Sequence, residues 1–303
     1  MFIWEALLAK VYTSNRSLNF KTYIFVIYNR KTKNFGLRFM FKRKYPFYLT
    51  LCAIAKNEGR YLQEWIEYHK MLGVEKFFIY DNESADNTRE ILQPYIDTNL
   101  VEYCYFPGKK MQLKAYANCV RKHKRHTKYL GFLDIDEFIV PINHKTIPDY
   151  LRSLGRFSGV QMNWLVYGSG GAKKREKGFV IERFKDHSLP DQKLNRHIKV
   201  ILNPRLILRF FSAHRPVIFG RYIDSNGNIT KKRFWDRTPV SNQIRINHYA
   251  IKSYEEFLEK RSRGRARFDR KRGLDYFDNY DLNDISNDSI MDKYVVELKK
   301  RIK

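Results

Sequence analysis

The segment Tyr129-Leu-Gly-Phe-Leu-Asp-Ile-Asp-Glu-Phe138 decides the fold. Its apolar run, residues 129–133, is typical of a buried strand, and the carboxylates of Asp134 and Asp136 follow at the C-terminal end of that strand. Alternate residues on an extended backbone share one side. Open α/β sheets bind ligands beyond the carboxyl ends of their strands. We therefore expect both carboxylates to face one ligand site, where hard oxygen ligands favour Mg²⁺ or Mn²⁺.

Strands and helices alternate upstream of this segment. Apolar runs predict strands over residues 48–55, 76–80 and 100–106, and amphipathic periodicity predicts helices over residues 58–72, 88–95 and 111–126. This β-α-β order predicts a mostly parallel sheet with right-handed crossovers. The two carboxylates then lie at the sheet edge where a nucleotide-type ligand would bind.

Several motifs of the chain, taken in order, resemble nucleotide-sugar glycosyltransferases of the GT-A fold, and most of all glycosyltransferase family 92 and related family 2-like bacterial enzymes. They are Ala55-Lys-Asn-Glu58, Trp65-Ile-Glu-Tyr-His69, Ile79-Tyr-Asp-Asn-Glu-Ser-Ala-Asp-Asn-Thr88, Asp134-Ile-Asp-Glu-Phe138, Asn163-Trp-Leu-Val-Tyr-Gly-Ser-Gly-Gly171 and Ile246-Asn-His-Tyr-Ala-Ile-Lys-Ser-Tyr-Glu-Glu-Phe257. The resemblance covers residues 48–265. It implies an α/β, GT-A-like fold with a single mostly parallel, mixed central sheet and helices on both faces.

The resemblance also implies a reaction, the metal-dependent and inverting transfer of a sugar from a nucleotide-sugar donor to a hydroxyl of a glycan or glycolipid. Asp134, Asp136 and His248 would be the metal ligands. His248 ends an alternating strand, where an imidazole is either a good third ligand or a structural core residue. The residues expected to contact the nucleotide sugar are Lys56, Asn57, Glu58, Asp81, Gln112, Lys114, Asn118, Asp134 and Lys252.

The catalytic base is the open part of the site. An inverting transferase needs a proton acceptor beside the acceptor hydroxyl, and the Glu-Asp pair found at a helix start in many relatives is missing here. Glu182 and Asp191 are the candidate carboxylates, and His197 and His214 are further candidates by their chemistry. Trp164 and the loop of residues 168–171 are either an acceptor platform or a core tryptophan and a flexible turn.

The net charge of +26 at pH 7 indicates an anionic partner. No acidic residue occurs between Glu5 and Glu58. An anionic membrane surface or an anionic glycan acceptor would suit this charge, as would cell-surface polysaccharide or lipopolysaccharide synthesis. An AT-rich genome is an alternative explanation for part of the lysine and asparagine excess. A basic nucleic-acid-binding protein and a nucleotidyltransferase of related fold are the alternative functions, but neither an RNP motif nor a glycine-rich phosphate loop is present.

The charge pattern divides the chain into a basic N-terminal extension (1–47), a GT-A domain (48–270) and a C-terminal tail with a short helix (271–303). Residues 1–9 are expected to form a packed or interfacial helix. No apolar run is long enough to span a bilayer, and the three cysteines form no zinc or disulfide pattern. We therefore expect a cytoplasmic protein, peripheral on the inner face of the membrane, whose N-terminal extension associates with that surface.

Overall fold

A computed structural model describes residues 5–9, 22–29, 34–41, 45–230, 238–264 and 272–302. The chain divides into two compact units, residues 1–46 and 47–303. In the first unit, strands β1 (Glu5–Ala9), β2 (Thr22–Asn29) and β3 (Asn34–Phe41) form an antiparallel sheet of their own. The helix predicted over residues 1–9 is thus wrong where the structure describes it. A strand partner, β2, overrides the local helix preference of this alanine- and leucine-rich segment.

The second unit alternates strands and helices much as the apolar periodicity predicts. Its strands are β4 (Phe47–Ala55), β5 (Lys76–Asp81), β6 (Val101–Tyr105), β7 (Thr127–Phe132), β8 (Glu137–Pro141), β9 (Gly159–Val166), β10 (Ile198–Leu202), β11 (Ile207–Arg209), β12 (Val217–Ile218), β13 (Tyr222–Ile223) and β14 (Ile244–His248). Its helices are α1 (Gly59–Met71), α2 (Thr88–Asp97), α3 (Gln112–His123), α4 (Ile147–Ser153), α5 (Val180–Arg183), α6 (Tyr254–Ser262), α7 (Asp275–Tyr280) and α8 (Asp292–Arg301).

The central sheet of this unit has the order β6-β5-β4-β7-β10-β9-β14-β8, with β13 paired to β9. Strands β4 to β7 pair in parallel with one another, while β10 runs antiparallel to both of its neighbours and β14 antiparallel to β8. The predicted mostly parallel, mixed sheet is confirmed. Parallel strands bring their carboxyl ends to one edge, and β4 and β7 are adjacent there.

Helices cover both faces of the sheet, also as predicted. Strand β4 alternates between two cores: Leu51 and Ala53 join the cluster under α1, α2, α4 and α8, while Cys52 and Ile54 join the cluster under α3. Helix α8 buries Val295 and Leu298 in the first cluster. The division at residue 270 stays a prediction. Within the residues that the structure describes, no helix combines the length and the apolarity needed to cross a bilayer.

Helix α6 is held in place by the carboxylate of Glu256. That side chain completes a capping box with Ser253 and accepts two hydrogen bonds from the Arg183 guanidinium, at 2.8 and 2.9 Å. It also accepts a hydrogen bond from the Tyr61 hydroxyl at 2.9 Å. Burial acts to raise the pKa of Glu256, but the hydrogen bonds from Arg183 and Ser253 outweigh it and lower the pKa to about 2.

Replacing Glu256 by Gln should lower the free energy of unfolding by about 3 kcal/mol, because it leaves a buried guanidinium without its counter-charge. Folding lowers the pKa of this carboxylate. Its contribution to the free energy of unfolding is therefore fully present above about pH 4.5 and is lost as the pH falls through about 2. Urea unfolding of the wild type and of Glu256→Gln at several pH values measures the difference in the free energy of unfolding. Glu259→Gln, on the exposed side of the same helix, is the matched control and should cost less than about 1 kcal/mol. An equal cost for both variants would contradict the anchoring role of Glu256.

Candidate active site

A pocket opens at the carboxyl ends of β4 and β7. Ile54 and Lys56 form its wall on the β4 side, and the residues directly after β7 form its floor. The structure brings together there a set of the sequence-predicted residues: Lys56, Glu58, Gln112, Asp134, Asp136 and His248. The pairing of β14 with β8 places His248 opposite Glu137, and hence beside the carboxylate pair.

Asp134 is bound on both oxygens by protein groups. Its Oδ2 lies 2.8 Å from the Lys199 Nζ, and its Oδ1 accepts a hydrogen bond from the Gln112 Nε2 at 3.0 Å. Lys199 also lies 3.2 Å from the Oε2 of Glu137, which is fully buried beneath the pocket. Burial acts to raise the pKa of Asp134, but the Lys199 ammonium outweighs it and lowers the pKa. Burial raises the pKa of Glu137 to about 8.

Sequence reasoning missed Lys199, although a signal for it exists. The strand Ile198-Lys-Val-Ile-Leu202 is apolar except for this residue, and a lysine inside a buried strand requires a counter-charge. The partner could not be identified from the sequence, because Asp134 lies far from Lys199 along the chain.

Asp136 is paired with Lys260 of α6. The Lys260 Nζ contacts the Asp136 Oδ2 and donates a hydrogen bond to the Ala250 carbonyl oxygen at 2.6 Å. The His248 Nε2 lies 3.7 Å from the Asp136 Oδ1. Burial acts to raise the pKa of Asp136, but Lys260 and His248 together hold it well below its usual range. Asp136 is therefore an ionised carboxylate that holds a cationic group beside it.

The side chains of the pocket include possible ligands for the predicted metal ion. Among the described residues, no three His, Cys, Asp or Glu side chains are arranged to hold a metal by themselves. Asp136 and His248 nevertheless fit a divalent cation: an ammonium already marks a cation position on one oxygen of Asp136, and the His248 Nε2 lies 3.7 Å from the other oxygen. Mg²⁺-type ions bind through one or two protein ligands and complete their shell with water and phosphate. Lys199 and Gln112 already contact the two oxygens of Asp134, and the predicted metal-ligand role of Asp134 stays a prediction.

Replacing His248 by Ala should weaken Mn²⁺-dependent binding of a nucleoside diphosphate by about tenfold, because one of the two protein ligands of the metal is lost. The protein should be destabilised only modestly. Calorimetric titration with and without Mn²⁺, next to thermal unfolding, measures both effects. His69 is the matched control: its imidazole is fully buried between the Trp65 carbonyl and the Ile139 N–H. His69→Ala should mainly lower stability. A His248 variant that behaves like the His69 variant would identify His248 as a core residue.

Trp164 lies at the centre of a wall of imidazoles. Its ring centroid is 4.7 Å from that of His197, 5.5 Å from that of His214 and 4.0 Å from that of His248. The indole is buried rather than an open platform. The Nδ1 atoms of His197 and His214 face the carbonyl oxygens of Leu194 and Ile198, which only accept hydrogen bonds, so Nδ1 carries the hydrogen and Nε2 is the basic nitrogen.

Both of these imidazoles are held neutral. Burial lowers the pKa of His197, and burial together with the nearby Lys199 lowers the pKa of His214 to about 3. A neutral imidazole can accept a proton. The two histidines considered in the sequence analysis thus lie in the pocket.

Three further cations line the pocket with Lys260: Lys56, Arg263 and Arg272. Arg263 is used structurally, since it contacts Glu58 and donates to the Asn57 carbonyl oxygen at 2.7 Å. Arg272 stacks its guanidinium 5.2 Å from the Tyr276 ring centroid, and its buried Nε has no hydrogen-bond partner among the described residues. Arg272 therefore brings a further positive charge to the pocket wall.

Some predicted donor-binding residues lie outside this pocket. Asp81 is buried and accepts hydrogen bonds from the Tyr103 hydroxyl at 2.7 Å and the Ser84 N–H at 2.9 Å. Asn118 accepts a hydrogen bond from the Tyr80 hydroxyl. Asn57 accepts one from the Ala85 N–H in a turn where its own φ is 51°. These hydrogen bonds link β5 and the loop after it to β6, to α3 and to the loop that follows β4.

Two predicted lysines also lie elsewhere. Lys252 has its ammonium 4.3 Å from the ring centroid of Tyr61, in a neighbouring cleft that Glu256 also lines. Lys114 is exposed and lines a groove on the outer side of α3.

The structure does not bring the two candidate base carboxylates to the pocket. Glu182 lies on α5 and pairs with Lys299 of α8, and Asp191 is exposed in a loop. Neither lines the pocket that holds Asp136. Their positions after apolar segments gave no information on distance from the β7 edge, because that distance depends on the tertiary packing.

The sequence of the chain is similar to those of known glycosyltransferases. The model of glycosyltransferase family 92 matches residues 46–288. A glycosyltransferase family 92 protein of Oryza sativa subsp. japonica is 34% identical over 221 residues, which are 70% of this chain and 35% of that protein. A beta-1,4-galactosyltransferase of Caenorhabditis elegans is 24% identical, over 76% of this chain and 56% of that protein. The chain spans just over a third of the length of the plant relatives that it matches.

Among solved structures, S. aureus TarS 1–349 in complex with UDP aligns with 53% of this chain and 48% of its own, at a TM-score of 0.36 and 11% identity.

Proposed function

The chain belongs to glycosyltransferase family 92, and on that premise we propose that its pocket transfers a sugar from a nucleotide-sugar donor to a hydroxyl of a glycan or glycolipid. The observation that carries the proposal is the charge arrangement at the carboxyl ends of β4 and β7. There, Asp136 and His248 face the cationic side chains of Lys260 and Arg272 in one pocket. A nucleoside diphosphate is the leaving group that needs such a set, since its charge grows as the sugar departs.

Arg272 and Lys260 are the groups that would bind the diphosphate. A guanidinium can bind phosphate oxygens through two parallel hydrogen bonds. Lys260 is anchored by the Ala250 carbonyl and lies against Asp136, so a short side-chain movement would bring its ammonium to a phosphate oxygen. Asp136 and His248 would hold Mn²⁺ or Mg²⁺, which supplies Lewis-acid neutralisation of the diphosphate when bound.

We place the catalytic base on the imidazole wall. The imidazole of His197 is less buried than that of His214 and is kept neutral by its surroundings, with Nε2 as the basic nitrogen. It would accept the proton of the acceptor hydroxyl as that oxygen attacks the anomeric carbon, and the nucleoside diphosphate would leave with the bonding electron pair. Attack on the side opposite the leaving group inverts the anomeric centre. Trp164 supports the ring of His197 and excludes water from it.

The experiment that tests the proposal is donor hydrolysis, which requires no acceptor. Purified protein is incubated with a panel of nucleotide sugars and Mn²⁺, and the release of nucleoside diphosphate is measured. The galactose donor is tried first, because one relative is named a beta-1,4-galactosyltransferase. We expect one donor to be hydrolysed far faster than the others. No release from any donor, with a folded protein and Mn²⁺ present, would contradict the proposal.

Removal of divalent metal should abolish this hydrolysis, and added Mn²⁺ should restore it, because the diphosphate charge would otherwise face only side chains. The assay with EDTA, followed by excess Mn²⁺, measures this. An unchanged rate in EDTA would mean that Lys260 and Arg272 neutralise the diphosphate without a metal.

A further inference from the structure

Two segments without acidic residues, far apart in the sequence, meet on one face of the second unit. No Asp or Glu occurs between Glu102 and Asp134, or between Asp191 and Asp224. The first segment contains α3 and the second contains the β11–β12 hairpin, and together they line a groove. Leu113, Ala117 and Val120 contribute its apolar residues, and Lys114, Arg121 and Lys124 contribute its basic residues. The face is therefore apolar and strongly basic at once.

The hairpin beside this groove turns an apolar face outward. Ile207 and Ile218 pair across it and pack into the core under α3. Phe210 packs against the same core, but four other large apolar side chains of residues 207–219 are exposed: Leu208 by 67%, Phe211 by 63%, Val217 by 42% and Phe219 by 73%. Clustered exposed apolar side chains of this size mark an interaction surface rather than ordinary surface variation.

Cationic side chains surround these apolar tips. Arg209 is exposed and lies 5.0 Å from the ring centroid of Phe211, and Arg221 is exposed next to Phe219 and Gly220. Phenylalanine and leucine that project beside arginine and lysine suit the interface of an anionic bilayer, where rings enter the headgroup region and cations meet lipid phosphates. A nucleic acid or an anionic glycan would use the cations and could stack on the phenylalanine rings, but it would leave the aliphatic Leu208 and Val217 without a role.

We propose that this docking face, formed by residues 207–219 and the outer side of α3, binds an anionic lipid bilayer with Phe211 and Phe219 in the headgroup layer. Ala213 and His214, in the same segment, line the active-site pocket. Docking would therefore hold the pocket near the membrane surface, where a glycolipid acceptor lies. That last consequence rests on the proposed function, whereas the lipid binding itself does not.

The test is sedimentation of the full chain with vesicles of roughly 70% phosphatidylcholine and 30% phosphatidylglycerol, against pure phosphatidylcholine. We expect binding to the anionic vesicles only. Phe211→Ser combined with Phe219→Ser should weaken it at least about tenfold, since two rings no longer leave water. Arg209→Gln combined with Arg221→Gln should weaken it and reduce its salt dependence. Val296→Ser, an exposed apolar residue on α8, is the matched control and should bind as wild type.

Donor hydrolysis and thermal unfolding are measured on the same variants, so that a failure of the proposed function is distinguished from a failure of lipid docking. Wild-type vesicle binding by the double phenylalanine variant would overturn the proposal. A second result would also overturn the proposal: neutralising Lys42, Arg43 and Lys44 abolishes vesicle binding, but the phenylalanine variant still binds. The basic N-terminal stretch would then be the membrane contact. A wild-type dimer that the phenylalanine changes convert to a monomer would also overturn it, since the face would then bind a second copy of the chain.

Discussion

Replacing Asp136 by Asn should abolish turnover, by at least about a thousandfold, while the fold persists. The ionised carboxylate is the group that keeps positive charge in the pocket, since it contacts the Lys260 ammonium and lies 3.7 Å from the His248 Nε2. An amide is a far weaker ligand for a divalent cation and carries no charge to pair with an ammonium. Donor hydrolysis by the variant at ordinary Mn²⁺ concentration measures the effect.

The carboxylate of Asp149 provides the matched control for this change. It lies on the surface at α4, where it accepts hydrogen bonds from Thr146 and Arg152. Asp149→Asn should leave the hydrolysis rate near that of wild type. Full activity of Asp136→Asn would exclude the carboxylate from the reaction, whereas loss of activity together with collapse of thermal stability would show that its role is structural.

The second large effect is expected at Lys199, whose replacement by Met should lower the free energy of unfolding by about 4 kcal/mol. The ammonium is buried between Asp134 and Glu137, at 2.8 and 3.2 Å, and methionine fills its volume without its charge. The ionised Asp134 would then remain at the pocket floor without its counter-ion, and Glu137 would lose its charged partner above about pH 8. Chemical unfolding of the variant measures the loss, and Lys193→Met, an exposed lysine just before β10, should change stability by less than about 0.5 kcal/mol.

The loss at Lys199 should depend on pH and on Glu137. The pKa of Glu137 is already raised to about 8 in the folded protein, so the folded state binds the proton that the unfolded state releases above about pH 4.5. The stability of the wild type therefore falls as the pH rises through that window. Removing Lys199 also takes away the charge that lowers the pKa of Asp134, so the folded variant holds that proton as well, and the defect of Lys199→Met should be smaller near pH 5 than near pH 8. Adding Glu137→Gln should restore part of the stability, because the amide needs no counter-ion. A pH-independent defect would mean that lost packing, and not charge, is responsible.

The order of the main elements could be predicted from the sequence because their signals are local. Residues 48–55 and 129–133 are apolar runs of strand length, and residues 58–72 repeat apolar residues at helical spacing before Gly73, whose φ is 92°. Chain connectivity and the handedness of β-α-β units then determine a parallel arrangement. The same reasoning placed Asp136 at the ligand edge, where the structure has it.

Local signals failed where a residue's partner is remote. Residues 5–9 were expected to form a helix, but they pair as a strand with β2. Glu182 and Asp191 have the right chemistry for a base, yet they lie away from Asp136, while His197 and His214 stack near Trp164 in the pocket. Distance along the chain carries no information on which of these side chains converge.

The sequence by itself determined the α/β class, the family and the placement of Asp134 and Asp136 at a strand end, because each depends on a short stretch of residue types. Only the tertiary structure decided the charge state of that strand end. Lys199 on β10 and Lys260 on α6 reach the two carboxylates from segments 65 and 124 residues away in the sequence. The physical reason is that a buried carboxylate needs a counter-ion from whatever element packs over it, and packing is a property of the whole fold.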